Sequence, residues 1–354
     1  MNRLNVAIIG QGRSGRNIHG KFFMSELNDK FNVVAVVDVL EDRRTRAKEE
    51  YGCDVYADYR KLFGRQDIDL VVNSTFSYMH TPVTIDLLEH GFNVLSEKPF
   101  AKTYEDGCRA IAAAKKAGKL LNVFQQSRFA PYYKEIKKVL ASGVLGKIAQ
   151  ISICFSGFAR RWDWQTSQFY AGGNVRNTGP HPIDQALDLL GFPEEVQVIS
   201  RLGRFDTFGD AEDYAKILLL VPNKPLIDIE ISSCDCYAPY VYKIMGSEGC
   251  LRATLGSVEY KYVDQSKLAP QTQILEPLSK SDGTPSYCTE KIEFIEKKIE
   301  VESGAFNSAV KNYYDMIYYA LTEGRPMEIT PEQVLGQLKI IDTIHAQTPL
   351  TIFA

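Results

Sequence analysis

NVAIIGQGRSG, residues 5–15, joins an apolar run to a glycine-rich turn with the spacing G-x-G-x-x-G. Glycine is common, so this spacing becomes specific for dinucleotide binding only between a strand and a helix, which is its context here. The first glycine permits a tight turn, the second lets the backbone approach a pyrophosphate, and the third allows the helix to pack closely on the strand. We predict a dinucleotide-binding loop, at the N-terminus of a helix, that consists of Gly10, Gln11, Gly12, Arg13, Ser14 and Gly15.

An acidic residue follows the second predicted strand at the distance that ribose recognition requires. Asp38 ends the apolar run Val33–Asp38 and lies 23 residues after Gly15. A carboxylate at this place accepts hydrogen bonds from the adenosine ribose hydroxyls and repels a 2′-phosphate. NAD is therefore the predicted cofactor. Arg43 and Arg44 follow closely and would weaken that repulsion, so NADP remains an alternative.

The pattern of predicted secondary structure changes near Gln125. Before it, short strand-like runs alternate with helical stretches, which is typical of βαβ units. We therefore predict an α/β protein whose residues 1–124 form a Rossmann domain with a doubly wound parallel sheet. After it, strand-like segments cluster and several alternate apolar and polar residues, as in an antiparallel sheet with one solvated face. We predict that residues 125–354 form an α+β domain with a large open, mostly antiparallel sheet.

The composition excludes several classes of function. The chain has 354 residues, 45% of them hydrophobic, and a formal net charge of −3, so it has no basic patch that would favour nucleic acid. No apolar run is long enough to span a bilayer, and no signal peptide is recognisable at Met1. The seven cysteines show neither a CxxC pair nor a zinc-ligand spacing, which predicts reduced thiols and no metal. We expect a cytoplasmic enzyme without membrane or nucleic-acid partners.

Three further motifs carry a resemblance to a known family. Glu97-Lys98-Pro99 follows a strand of the first domain, Gly172-Gly173 comes later, and the stretch 177–184, NTGPHPID, contains G-x-H-x-x-D. Together with the glycine loop, in this order and spacing, they make the chain resemble the Gfo/Idh/MocA family, which includes glucose–fructose oxidoreductase and inositol dehydrogenase. The resemblance covers essentially the whole chain.

The resemblance implies roles for individual residues. Lys98 is similar to the family's active-site lysine, with Pro99 fixing its backbone, and His181 is similar to the catalytic histidine. Thr75, His80 and Glu97 are similar to residues that line the cofactor. The second domain would bind the substrate, and its open sheet commonly pairs with another subunit, so a homodimer or homotetramer is expected.

Asn177 departs from the family pattern, which usually has aspartate four residues before the histidine. An amide can bind a substrate hydroxyl, but it brings no charge to raise the pKa of His181. With an ordinary pKa near 6.5, His181 is the easier base, whereas Lys98 needs burial beside a positive charge to lose its proton near neutral pH. Which of the two is the base stays open.

The segment that leads to Gly172 holds the candidates for substrate contacts. Arg160, Trp162 and Trp164 lie within five residues of each other, and Tyr237 is a further candidate. Aromatic faces with charged hydrogen-bonding groups suit a sugar or polyol ring, although the arginines would also suit a phosphate or carboxylate, and the tryptophans could be structural.

These observations predict an NAD(P)-dependent dehydrogenase that transfers hydride between the nicotinamide and a secondary alcohol of a sugar, inositol or related polyol. Two alternatives remain open. In one, a tightly bound cofactor assists elimination of a glycosidic group by transient oxidation. In the other, the protein senses a dinucleotide or ligand without catalysis.

Overall fold

The structure is a computed structural model that describes residues 3–301 and 305–353. Its N-terminal part contains a parallel sheet with the strand order β3-β2-β1-β4-β5-β6. The order reverses between β1 and β4, and in such sheets ligands bind at the carboxyl ends of the strands beside this switch point. The strands of this sheet are β1 (Leu4–Ile9), β2 (Phe31–Val37), β3 (Asp54–Tyr56), β4 (Leu70–Asn73), β5 (Val94–Ser96) and β6 (Leu121–Val123).

The helices begin and end where the local sequence provides caps. The side chain of Thr103 accepts a hydrogen bond from the amide of Asp106, and Gly118 ends the same helix in the left-handed conformation, φ +61°. The glycine loop leads into a π-helical stretch, Gly15–Gly20, that continues into α1 and ends at Phe23. The helices are α1 (Lys21–Phe23), α2 (Glu41–Tyr51), α3 (His80–Glu89), α4 (Tyr104–Ala117), α5 (Pro131–Ala141), α6 (Asn174–Asn177), α7 (Pro180–Leu190), α8 (Ala305–Glu323) and α9 (Pro331–Gln347).

The second sheet has the strand order β16-β13-β12-β11-β7-β10-β9-β8. Its neighbouring strands are antiparallel apart from the parallel pair β7 and β10, which confirms the predicted mostly antiparallel sheet. Two-residue strands β14 and β15 pair separately. The strands are β7 (Ile148–Ser156), β8 (Gln197–Gly203), β9 (Tyr214–Leu220), β10 (Leu226–Ser232), β11 (Tyr242–Gly246), β12 (Gly249–Ala253), β13 (Ser257–Val263), β14 (Leu278–Ser279), β15 (Pro285–Ser286) and β16 (Phe294–Glu300).

Two hydrophobic cores hold the sheets, and the C-terminal helices contribute to both. Tyr313 and Tyr314 of α8 are buried in the core of the first sheet. In α9, Leu338 joins that first core, whereas Ile341 and Ile344 join the core of the second sheet. The last helices therefore pack against both parts of the molecule. We call the region where the two parts meet, around Lys98 and Asn177, the cleft. The domain boundary after residue 124 stays a prediction.

None of the helices in the described part of the chain has the length and apolar character needed to cross a membrane.

Candidate active site

The glycine loop is packed tightly on β4 at two of its three glycines. A Cβ on Gly10, which has φ +91°, would lie 2.4 Å from the Ser74 carbonyl oxygen, and one on Gly15 would lie 1.8 Å from the Gly10 carbonyl oxygen. At Gly12 the nearest atom to such a Cβ is Arg43 Nη1 at 3.7 Å. Gly12 therefore keeps an open face, where a pyrophosphate can approach the backbone.

Asp38, which follows β2, is tied to this loop. Its Oδ2 accepts a hydrogen bond from the Gln11 amide at 2.7 Å, and its Oδ1 accepts one from the Leu40 amide at 2.9 Å. Arg43 Nη1 lies 3.5 Å from Asp38 Oδ2, whereas Arg44 Nη1 donates to the Asp38 carbonyl oxygen at 2.8 Å. Each carboxylate oxygen keeps a second lone pair for a ribose hydroxyl.

The Gln11 side chain tests whether a dinucleotide fits here. It is 2% exposed, and neither its amide nitrogen nor its oxygen has a hydrogen-bond partner among the described residues. Buried amides are normally paired, so this one indicates a missing polar ligand. Together with the open Gly12 and the Asp38 carboxylate, it fits a bound dinucleotide.

Glu97 and His80 position the turn that carries Lys98. Glu97 Oε1 contacts His19 Nε2 at 3.1 Å, and its Oε2 accepts the Lys98 amide hydrogen at 2.9 Å. Burial alone would raise the pKa of Glu97, but the hydrogen bond with His19 and the Lys98 charge outweigh it and lower the pKa to about 2. The ring nitrogens of His80 lie 2.7 Å from the Pro99 carbonyl oxygen and 3.1 Å from that of Thr75. These contacts join the ends of β4 and β5.

Lys98 reaches across the cleft to the second sheet domain. Its Nζ donates to the Asn177 carbonyl oxygen at 2.8 Å, and His181 Nδ1 lies 3.1 Å from Ser127 Oγ. Lys98, Asn177 and His181 are all partly buried. Lys98, which follows β5, therefore contacts the segment that leads to His181, and its charge acts on the His181 ring.

Electrostatics separates the two candidate bases. Burial lowers the pKa of Lys98, Arg13 and Arg161 lower it further, and the Glu97 charge opposes them. Burial, followed by the Lys98 charge, lowers the pKa of His181 to about 3. The expected pKa near 6.5 for His181 is thus wrong, because burial and the Lys98 charge both disfavour the imidazolium. The imidazole is therefore neutral around pH 7, and burial favours the uncharged amine of Lys98.

The position of the Asn177 segment depends on a close contact between the Gly173 backbone and the Glu212 side chain. A Cβ on Gly173, which has φ +100°, would lie 2.3 Å from Glu212 Oε1, and that oxygen accepts the Val175 amide hydrogen at 3.0 Å. The Asn177 side-chain nitrogen donates to the Gln165 carbonyl oxygen at 3.3 Å. The Gly172-Gly173 pair is therefore required for α6 to lie against the neighbouring loops.

A buried ion pair holds helix α7, which carries His181. Arg128 donates to both oxygens of Asp184, at 2.6 Å and 2.7 Å, and both side chains are almost fully buried. Gln125 Nε2 donates to the Pro180 carbonyl oxygen at 3.0 Å. Asp184 of the G-x-H-x-x-D motif thus anchors the helix rather than facing the cleft.

Comparisons with known proteins agree with this architecture. Residues 4–125 match the model described as oxidoreductase family, NAD-binding Rossmann fold, and residues 133–252 match that of the GFO/IDH/MocA C-terminal domain. The chain belongs to the Gfo/Idh/MocA oxidoreductase family. The predicted oxidoreductase class and NAD-binding Rossmann domain are confirmed.

Relatives within the Gfo/Idh/MocA family differ in the reactions they are named for. The chain is 24% identical to scyllo-inositol 2-dehydrogenase (NADP(+)) IolW of Bacillus subtilis, over 96% of this chain and 92% of that protein. It is 28% identical to 2,7-anhydro-N-acetylneuraminate hydratase of Mediterraneibacter gnavus, over 71% of this chain and 67% of that protein. The WlbA dehydrogenase of Bordetella pertussis, solved with NADH and UDP-GlcNAcA, shares the fold with a TM-score of 0.76 at 19% identity, covering 100% of this chain and 99% of that one.

The predicted substrate residues of this Gfo/Idh/MocA protein occupy different surroundings. The Trp164 ring contacts Phe76, which follows β4, with centroids 5.0 Å apart. Trp162 is 77% exposed, and Tyr237 is 90% exposed. Arg160 pairs with Asp206 at 2.9 Å. Within the described residues, no hydrogen bond or ring contact joins Arg160, Trp162 or Tyr237 to Lys98, Asn177 or His181, so their role in substrate binding stays a prediction.

Arg160 was among the residues that the sequence assigned to the site, but its neighbour Arg161, whose charge acts on Lys98, was not. Its Nε and Nη2 donate to the two carboxylate oxygens of Asp163, each at 2.9 Å. Of two consecutive arginines in an irregular segment, no periodicity indicates which one faces the cleft. The adjacent Asp163 was the available signal, because a bidentate partner fixes the direction of a guanidinium.

Proposed function

We propose that this protein oxidises a secondary alcohol of a sugar, inositol or related polyol, with NAD as the hydride acceptor. The observation that carries the proposal is the 2.8 Å contact between Lys98 Nζ and the Asn177 carbonyl oxygen, which joins the cofactor side of the cleft to the segment that leads to His181. An alcohol bound there would lie within reach of Lys98, which could accept its proton, and of His181, which is neutral around pH 7.

Lys98 is proposed to accept the hydroxyl proton. As the alcohol C–H bond breaks, its electron pair leaves with the hydrogen as hydride, the O–H electron pair forms the carbonyl, and the proton goes to Lys98 Nζ. The bound nicotinamide supplies the hydride acceptor. The lowered pKa of Lys98 supports this role, since a free amine is required at the start. His181, neutral around pH 7, orients the same oxygen by a hydrogen bond.

Support for the substrate class comes from the polar groups beside Asn177. Asn177 and Gln165 present amides, Arg161 presents a guanidinium, and Trp164 presents an apolar ring, a mixture that suits a polyhydroxylated ring. The relative named scyllo-inositol 2-dehydrogenase acts on a molecule of this class. NAD is proposed over NADP because Asp38 repels a 2′-phosphate.

The relative named a hydratase favours a second candidate. In that case oxidation is transient, the cofactor is reoxidised in the same catalytic cycle, and the net reaction adds or removes water or a glycosidic group. The same Lys98 would then remove and return a proton. The two candidates differ in whether free NADH accumulates.

The exposed face of the second sheet is proposed as the contact between subunits of a homodimer or homotetramer, and the protein is proposed to act in the cytoplasm. Sedimentation of the full chain tests the assembly.

The test of function is a panel of sugars, glycosides and inositols, each offered with NAD or NADP while the absorbance of reduced nicotinamide is followed. Accumulation of NADH with a polyol supports the dehydrogenase. Product formation without net NADH supports the second candidate. Binding of dinucleotide with no chemistry on any member of the panel would contradict both and support the sensor.

A further inference from the structure

Two loops from opposite sides of the cleft place five aromatic side chains in mutual contact. Phe76 and Tyr78 follow β4, and Trp164, Phe169 and Tyr170 follow β7. We call these five residues the aromatic wall. The Phe76 and Trp164 centroids lie 5.0 Å apart, those of Tyr78 and Tyr170 5.2 Å apart, and those of Phe169 and Tyr170 5.0 Å apart. The wall therefore bridges the two parts of the molecule.

Residues next to the wall in the chain contact groups that hold Lys98 and its turn. Phe76 directly follows Thr75, whose carbonyl oxygen contacts His80. Trp164 directly precedes Gln165, whose carbonyl oxygen accepts a hydrogen bond from the Asn177 side chain. Asn177 in turn contacts Lys98. Phe76 and Trp164 are therefore one residue along the chain from groups that contact His80 and Asn177.

The wall is not a closed core. Phe76 is 46% exposed, Tyr78 37% and Phe169 65%, although each ring packs against another member. A contiguous apolar patch at the rim of a polar cleft is typical of a ligand-binding surface, whereas isolated exposed apolar residues need no explanation. Rings that pack on one another and are still partly exposed offer apolar surface to a ligand.

We propose that the aromatic wall binds a second ring, sugar or aryl, joined to the sugar that is oxidised, so that the substrate is a glycoside rather than a free monosaccharide or inositol. The inference rests on the proposed function and names its substrate class. A ring held by Lys98 and His181 occupies the polar part of the cleft. A second ring attached to it reaches the neighbouring wall, where either the C–H face of a pyranose or the face of an aryl group packs on aromatic carbon.

The test compares substrates that share the oxidised sugar and differ in what is attached to it. Four are needed: the free sugar, its methyl glycoside, its aryl glycoside and a disaccharide. The wild-type kcat/KM should be about tenfold or more higher for one or both two-ring compounds than for the methyl glycoside. The aryl glycoside and the disaccharide distinguish the two kinds of second ring.

Tyr78→Ala and Phe169→Ala each remove one ring of the wall. Each should lower the ratio of kcat/KM for two-ring substrates over the methyl glycoside by about two- to tenfold, the usual worth of one aromatic contact. Phe205→Ala is the matched control, because Phe205 is an exposed aromatic of the same domain that packs on Tyr214 outside the wall. It should leave the ratio unchanged.

Binding to the enzyme–NADH complex keeps the inference testable without turnover. Calorimetric titration with the aryl and methyl glycosides should show tighter binding of the two-ring ligand, and Tyr78→Ala should reduce that difference. Equal affinity of the two ligands for the wild type would overturn the inference. So would a loss of NADH affinity in the variants that matches their loss on every substrate, since the wall would then serve the cofactor. Failure of the proposed function is distinct, because it appears as an absence of NADH production with all four compounds while these binding differences persist.

Discussion

The two sides of the cleft differ in how their side chains are held. On the cofactor side, Asp38 and Glu97 are buried, and both oxygens of each carboxylate have protein partners at 2.7–3.1 Å. On the substrate side, Phe169 and Trp162 are mostly exposed, and the nearby Arg161 is anchored by a surface aspartate. The cofactor side is a rigid site set by close backbone packing, whereas the substrate side consists of loops whose residues can vary without disturbing a core. Chemistry and specificity are thus supported by different parts of the molecule.

The largest expected effect falls where the two sides meet. Lys98→Met removes the amine while keeping much of the side chain, and turnover should fall by about 10²–10⁴-fold, the usual worth of a positioned acid–base group. NADH affinity, measured by fluorescence titration, should change little, because Lys98 contacts Asn177 rather than the glycine loop. His181→Ala should lower turnover by a smaller factor if His181 only orients the substrate.

A Lys98→Met variant with near-normal turnover would remove the lysine from the mechanism. A larger loss in His181→Ala than in Lys98→Met would assign the base to the histidine instead. Either result would break the division of roles that the two pKa values suggest.

The second largest expected effect concerns dinucleotide binding by Asp38, on the cofactor side of the cleft. Asp38→Ser should weaken NAD binding by about 10- to 100-fold, because hydrogen bonds to a charged group contribute about 1.5–3 kcal/mol. The same change should improve NADP, as the 2′-phosphate no longer meets a carboxylate. Arg43→Gln in the Asp38→Ser background should then remove the gain, since Arg43 lies 3.5 Å from the carboxylate.

Arg44→Gln is the comparison for that double variant. Its Nη1 donates to the carbonyl oxygens of Asp38 and Val39, which hold the guanidinium against the backbone, so we expect a smaller effect on NADP than from Arg43. Dissociation constants for both dinucleotides measure the outcome. Tighter binding of NADP than of NAD by the unaltered protein would contradict the assigned role of Asp38.

The difference between the rigid cofactor side and the variable substrate side also explains which parts of the site could be predicted from the sequence. Gly10, Asp38, Lys98 and His181 belong to motifs whose residue types are required by backbone geometry or by chemistry. Gly10, Asp38 and Lys98 follow strands β1, β2 and β5 at one edge of the first sheet, and Lys98 contacts the segment that leads to His181. The glycine pair before α6 is of the same kind, since a side chain at Gly173 would collide with Glu212.

What could not be predicted depends on long-range packing. The aromatic wall joins Phe76 to Trp164, 88 residues apart in the chain, and neither loop has a periodic pattern. The burial that lowers the pKa of His181 to about 3 is likewise a property of the assembled cleft. Strands β13 and β16 were missed because their exposed, charge-rich faces lack a strong apolar alternation.

The smallest expected effect tests whether Arg161, in a substrate-side loop, influences the acid–base chemistry of Lys98 on the cofactor side. Arg161 lowers the pKa of Lys98 by disfavouring a second positive charge nearby. Arg161→Gln should therefore raise the pKa of Lys98. Alcohol oxidation requires the free amine, so the acidic limb of kcat/KM should move to higher pH, and the rate near pH 7 should fall by roughly a few-fold.

Arg160→Gln is the matched control, since Arg160 pairs with Asp206 and does not act on Lys98. One pH series on each protein, at low salt and again at high salt, decides the matter. A limb that moves equally in both variants would mean a general charge effect, which salt should abolish. A limb that stays in place in Arg161→Gln would mean that the titrating base is not Lys98, or that Arg161 lies too far from it to matter.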